Sequence, residues 1–321
     1  MKFKHTFHVF VDNFSTTYKL LLYRLIVFLC SACLYVAAIL PFIIKIVDTS
    51  QFETLQNAFV LIGKGLNDLS LSTVSDGLLQ IKPGLTELVQ VITSRMGEFI
   101  WAIILVIAVY FVQRWFQGLG NYATGCVIND KMALHAESPF FRTLVKNLGN
   151  AALYNLIYVP LTILYDIICF IGVYALFFLL LDFLPWLMQI FLFVTVIIVL
   201  VSVKMTFTTN WLPSLIYGKS TNRKAIAYSF TRSGRNLLEV FSNMLVLTLV
   251  ILAINVAAIT FTFGAGFLIT LPASYLMLIA FEFVNYCDGN KLKYFVDKNT
   301  IVRPEKERVP SREDFFRGND L

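Results

Sequence analysis

Charge is what this 321-residue chain has least of. Asp, Glu, Lys and Arg make up 14% of it, against about 25% in soluble domains, which excludes an ordinary water-soluble globule. Histidine is nearly as scarce: His5, His8 and His135 are the three present, and their spacing holds no metal-ligand pattern. Of the five cysteines, none falls in residues 48–97, the segment read below as external, so an external disulfide framework is excluded. Cys30-Ser31-Ala32-Cys33 has redox-motif spacing, but it lies in an apolar run without a βαβ pattern or a histidine beside it. Zinc-protease, serine-hydrolase and phosphate-loop motifs are missing, and Gly118-Leu119-Gly120 with Gly125 is too short for a dinucleotide fingerprint. These absences leave no catalytic residue, no metal set and no cofactor to name, and the chain reads as non-enzymatic.

What is present is grease. Hydrophobic residues reach 58%, with 30 phenylalanines, and the mean hydropathy is +0.73. They gather in six runs, at about 20–46, 99–116, 150–182, 186–207, 240–263 and 267–286. A helix needs roughly 20 apolar residues to cross the hydrocarbon core. The expected fold is therefore all-α: a polytopic membrane bundle of six transmembrane helices, with interfacial amphipathic helices and a helical external insertion. Residues 1–19 form the first interfacial piece, since Phe3, Phe7, Phe10, Phe14 and Tyr18 recur at helical spacing with Lys2, Lys4, His5 and Lys19 between them. The membrane domain spans 20–287. Within it, residues 48–97 are the insertion, where Leu55, Phe59, Ile62, Leu66 and Leu69, then Leu85, Leu88, Ile92, Met96 and Phe99, predict two amphipathic helices. Residues 288–321 read as a charged cytoplasmic tail whose low hydrophobicity favours disorder after about Val302.

Basic residues in short loops set orientation. They concentrate in 1–24, 114–147 and 204–239, while the insertion is acidic. Six spans with both termini in the cytoplasm, in a bacterial cytoplasmic membrane, satisfy every loop. The net charge of +6 follows from the same pattern, so no nucleic-acid partner is expected; the lipid bilayer is. The segments 138–150 and 224–236 align at an offset of 86, with Lys146 on Arg232, Leu144 on Phe230 and Asn150 on Asn236. Either the chain repeats three copies of interface helix, span, turn and span, or any hairpin entering from a basic surface looks this way.

Tyr217-Gly218-Lys219, followed by Lys224-Ala225-Ile226-Ala227-Tyr228-Ser229-Phe230, and the Pro272 segment GFLITLPASYLMLIAFEF resemble a loose set of bacterial six-span proteins. That set includes the membrane domain attached to some glycerophosphodiester phosphodiesterases. The resemblance implies a six-span membrane domain. It implies no settled activity and no catalytic residue, and the soluble phosphodiesterase domain has no counterpart in these residues.

Asp166 is the candidate that stands out. It lies mid-span on a polar stripe with Asn155, Tyr158, Thr162 and Cys169, and a charge at the centre of a spanning helix costs about 2.5–3.5 kcal/mol on insertion scales. Either it binds a proton or cation, or it is packing glue against a neighbouring helix. Asn255, mid-span in the fifth run between Thr248 and Thr262, is the partner expected across the bundle. Glu282 and Lys204 form a second polar pair at similar depth, or snorkel separately to the headgroups. Lys219, Arg223, Lys224, Arg232 and Arg235 are candidates to contact anionic headgroups or another membrane protein. Two functions remain open: a transport-related component with a polar mid-membrane site at Asp166, Asn255, Thr162, Asn155 and Tyr158, or a membrane scaffold or partner-binding protein whose buried polar residues are structural.

Overall fold

Long apolar runs with few breakers have one way to satisfy their backbone in lipid, which is to close it into helices. The computed structural model describes residues 2–47, 50–68, 70, 72–73, 75–77, 79–80, 86, 90, 93–134, 139–177, 186–297 and 300–303. Helices α1 (Lys2–Asp12), α2 (Ser15–Val47), α3 (Ser50–Asn67), α4 (Met96–Met132), α5 (Phe140–Lys146) and α6 (Leu148–Ala175) come first. They are followed by α7 (Trp186–Thr208), α8 (Trp211–Ile216), α9 (Asn222–Arg235), α10 (Leu237–Phe261) and α11 (Phe267–Gly289). A two-stranded antiparallel pair, β1 (Tyr294–Phe295) and β2 (Ile301–Val302), sets Tyr294 opposite Val302. Among the described residues six helices, α2, α4, α6, α7, α10 and α11, are long and apolar enough to cross a membrane. The chain is an all-α helical membrane bundle. The second amphipathic helix expected near 85–99 falls largely outside the described residues, as does the tail beyond residue 303.

The chain divides into two units, Met1–Leu25 with Trp115–Leu321, and Ile26–Arg114. In the second, Tyr35 donates to Gln113 Oε1 at 2.9 Å and Phe42 packs on Phe99 with ring centroids 5.5 Å apart. The expected helix of Leu55, Phe59 and Ile62 is α3.

In the first unit the core lies at one end of the spans, the end that carries α1, α9 and the strand pair, called here the basic end. Val9, Tyr122, Trp211, Phe283, Val284, Cys287 and Tyr294 form one buried cluster there. Along the other halves of α6, α7, α10 and α11 (163–177, 188–201 and 248–271) no described residue is buried.

The second span departs from its expected length. Sequence reading ends it near residue 116, yet α4 runs on to Met132, a helix of about 55 Å at 1.5 Å per residue. The glycines that lowered its apolar signal are contact points between helices. A Cβ on Gly118 would run into Asn155 Oδ1, one on Gly120 would meet Tyr23 Cε1 at 2.7 Å, and one on Gly125 would meet Leu212 and Ile216 at 3.0 Å. Small residues let helices approach this closely.

Interface helix and span are joined by an asparagine each time. Asn13 stands between α1 and α2, Asn147 between α5 and α6, and Asn236 between α9 and α10. In each, the asparagine N–H donates to the carbonyl four residues back: Val9 (3.2 Å), Thr143 (3.1 Å) and Arg232 (3.4 Å). At the two later junctions a new helix then starts from the asparagine carbonyl, with Ala151 N–H to Asn147 O at 2.9 Å and Val240 N–H to Asn236 O at 3.0 Å. The structural junctions place Asn147, not Asn150, opposite Asn236.

Candidate functional site

The polar stripe of α6 faces protein along its first half. Asn155 is fully buried and Thr162 nearly so, while Tyr158 packs on the core. The helix is put there by α5 and Asn147, which aim its first turns at Gly118 of α4. The stripe does not converge on one site. Asn155 lies against Gly118, and among the described residues neither atom of its amide finds a hydrogen-bond partner. The Thr162 hydroxyl returns to Val159 O of its own helix at 3.0 Å. Tyr158 stacks on Tyr154 (5.0 Å between ring centroids, 21° between planes), and Trp211 stands edge-on to both.

Asp166 meets Lys204 of α7. The ammonium donates to Oδ1 at 2.7 Å and to Oδ2 at 2.8 Å, and the side chains keep 36% and 20% of their surface exposed for Asp166 and Lys204. Next to Asp166, Tyr165 donates at 2.9 Å to Leu200 O, one turn before Lys204 on α7. The ion pair overturns two expectations. Asn255 is not the partner of Asp166: its amide donates to Ser274 Oγ at 2.9 Å and its carbonyl accepts from Thr270 at 2.8 Å, both on α11. Lys204 is not the partner of Glu282. The reason is packing: α6 meets α7, and α10 meets both α7 and α11, so Asp166 is answered from α7 and Asn255 from α11. Ser202 and Thr248, 3.4 Å apart, add a tie between α7 and α10. Glu282 is half-buried on α11, between the buried Phe281 and Phe283.

At the basic end the candidate contacts separate. Lys219, Arg223 and Lys224 are exposed. Arg232 donates to Gly289 O at the last turn of α11, where a cation offsets the helix dipole. The side chain of Arg235 lies outside the described residues. Lys2, read from the sequence only as part of an interfacial helix, donates to Glu239 Oε1 at 2.8 Å and Asn285 Oδ1 at 3.1 Å. With Asn210, Arg232 and Asn236 these residues line a polar cavity of about 20 Å³, room for one water, and the buried Asn210 Nδ2 has no hydrogen-bond partner among the described residues. His5 Nδ1 lies 2.9 Å from Tyr294 OH, which donates to Asp288 Oδ1 at 2.7 Å. Burial lowers the His5 pKa, with Asp288 pulling the other way, and burial together with the Asp288 bond raises that of Tyr294.

Among the described residues no group of three or more His, Cys, Asp or Glu side chains could hold a metal ion. Sequence reasoning missed the Tyr154–Tyr158–Trp211 cluster, although tyrosines four apart on a helix share a face. No family model, no curated protein and no solved structure matches the chain.

Proposed function

We propose that this chain is a membrane scaffold, a partner-binding integral protein whose intramembrane polar groups hold its own helices in place and carry no catalysis. The observation that carries the proposal is the Asp166–Lys204 pair, in which both carboxylate oxygens lie at hydrogen-bond distance from one ammonium on the adjacent helix. A transport site needs a carboxylate open to a travelling cation; here a fixed cation already neutralises it. Asn255 is likewise engaged by Thr270 and Ser274. Such polar contacts between spanning helices act as glue, each contributing about 0.6 kcal/mol on average.

In this proposal the protein sits in a bacterial cytoplasmic membrane with both termini on the cytoplasmic side. The exposed Lys219, Arg223 and Lys224 at the basic end support that orientation through the positive-inside rule. The apolar halves away from the basic end are left to lipid and to another membrane protein. One observation favours the second reading, a transport-related component: the ion pair lies within the spans and stays partly exposed, so it is open to exchange.

Proteoliposomes holding a pH-sensitive dye separate the two. The scaffold reading expects wild-type protein to pass protons no faster than empty liposomes, and the Asp166→Asn/Lys204→Met variant to do the same while remaining monodisperse in detergent. Proton flux in the wild type that disappears in Asp166→Asn would overturn the scaffold in favour of transport.

A further inference from the structure

We propose that the junction of α1 and α2 is a binding site for a phosphoryl anion, filled in the membrane by the headgroup phosphate of an anionic lipid. A cavity of about 150 Å³ opens there, lined by Ser15, Thr16, Lys19, Lys131 and Phe140 among others. An interior cavity of that volume holds a benzene-sized molecule, so a phosphate group fits. Its polar wall is cationic and hydroxylic. Lys19 forms no ion pair among the described residues, and Lys131 shares its charge with Asp12, donating to the Asp12 carbonyl at 2.8 Å with the carboxylate 3.8 Å away.

The cavity borders the first turn of a 33-residue helix. The Thr16 and Thr17 N–H groups there are already taken by Asn13 O (2.8 Å) and Phe14 O (2.9 Å), so recognition of an anion falls to side chains. Two hydroxyl-bearing side chains share the cavity with the lysines. Ser15 and Thr16 both line it, Thr16 keeping 2% of its surface, and a phosphate oxygen beside Lys19 and Lys131 lies within reach of them.

Position selects the lipid over free phosphate. Ser15 opens the first apolar span, so the cavity lies at the depth where chain enters hydrocarbon. On the same two helices Phe7, Val11 and Tyr18 are exposed, the kind of apolar and aromatic surface that acyl chains and the headgroup boundary favour.

The test uses the full chain, delipidated in detergent, with binding read by native mass spectrometry against phosphatidic acid, phosphatidylglycerol, phosphatidylcholine and inorganic phosphate. Wild-type protein is expected to retain phosphatidic acid or phosphatidylglycerol over phosphatidylcholine. Lys19→Gln should weaken that retention about fivefold, the loss expected for one lysine near an anionic surface, and Thr16→Val should weaken it while leaving the thermal transition in place. Displacement of the lipid by short-chain phosphatidic acid alone supports a headgroup site; displacement by inorganic phosphate as well supports the same anion site with a soluble source. Equal retention of phosphatidylcholine, or unchanged retention in both folded variants, overturns the proposal.

Discussion

The two ends of the first unit are built on different physics. At the basic end, α1, α4, α8, α9, α11 and the strand pair bury aromatic and aliphatic side chains as a soluble protein does, and Trp211, Phe281, Phe283 and Tyr294 are all but inaccessible. Local ties hold the pieces together there: Ser229 donates to Phe207 O at 2.6 Å, Ser233 to Thr206 O at 2.7 Å, and the Arg24 guanidinium lies 3.4 Å from the centre of the Tyr275 ring. At the opposite end the spans turn apolar side chains outward, Phe263 entirely so. Lipid replaces the core, and isolated polar contacts replace packing. In hydrocarbon, burying grease between helices gains little, because lipid tails are as apolar as leucine. A bundle can therefore concentrate its specificity at the end that meets water.

Several measurements break or sharpen that contrast. The largest effect is expected from Trp211→Ala, which empties the most voluminous fully buried site and should cost about 3–5 kcal/mol of stability. Phe263→Ala, in the same unfolding assay in detergent, should stay within about 0.5 kcal/mol; similar losses would erase the distinction between the ends. Next comes Lys204→Met, which leaves Asp166 without its counter-charge among the spans and should cost about 3 kcal/mol, seen as a lower unfolding midpoint. Gly118→Ala forces a methyl onto the Asn155 amide and should cost about 1–3 kcal/mol, with Gly118→Ala/Asn155→Ala recovering part of it. Asn255→Ala cuts the bonds from α10 to Thr270 and Ser274 and should cost only about 0.6 kcal/mol.

The smallest effect is a pH dependence at α1. The folded-state pKa of His5 is lowered, so the folded protein binds fewer protons at this site than the unfolded chain does. Its contribution is therefore fully present above the ordinary histidine range and is lost as pH falls through it. Hydrogen exchange of α1 should speed up under mildly acidic conditions in the wild type and do so less in His5→Gln; identical profiles would remove His5 from the account.

Much of this architecture was legible in the sequence because lipid imposes so few solutions. Six apolar runs and the Leu55–Ile62 stripe appear as helices, while the amphipathic Phe3–Tyr18 segment, expected as one interfacial helix over 1–19, is split at Asn13 between α1 and the start of α2. The reach of α4 was not legible, since Gly118, Gly120 and Gly125 lower local hydropathy while serving as the closest helix contacts. The asparagine hinges were half legible: a repeat was visible, but residue matching set it at Asn150, whereas the helix breaks place it at Asn147. At the candidate site, the sequence marked Asp166, Asn255, Lys204 and Glu282 as unusual because each sets polarity into grease. It paired them by depth. The fold pairs them by helix adjacency, and depth along a span carries no information about which neighbour lies across the contact.

The central claim is that Asp166 and Lys204 form a structural tie between α6 and α7. A double-mutant cycle tests it most directly, using Asp166→Asn, Lys204→Met and the pair, with unfolding free energies measured in one detergent. Residues in direct ionic contact couple by about 0.5–3 kcal/mol, so the double variant should be more stable than the sum of the single losses allows. Additive losses, or a double variant that folds as wild type while abolishing a measurable proton flux, would contradict the account.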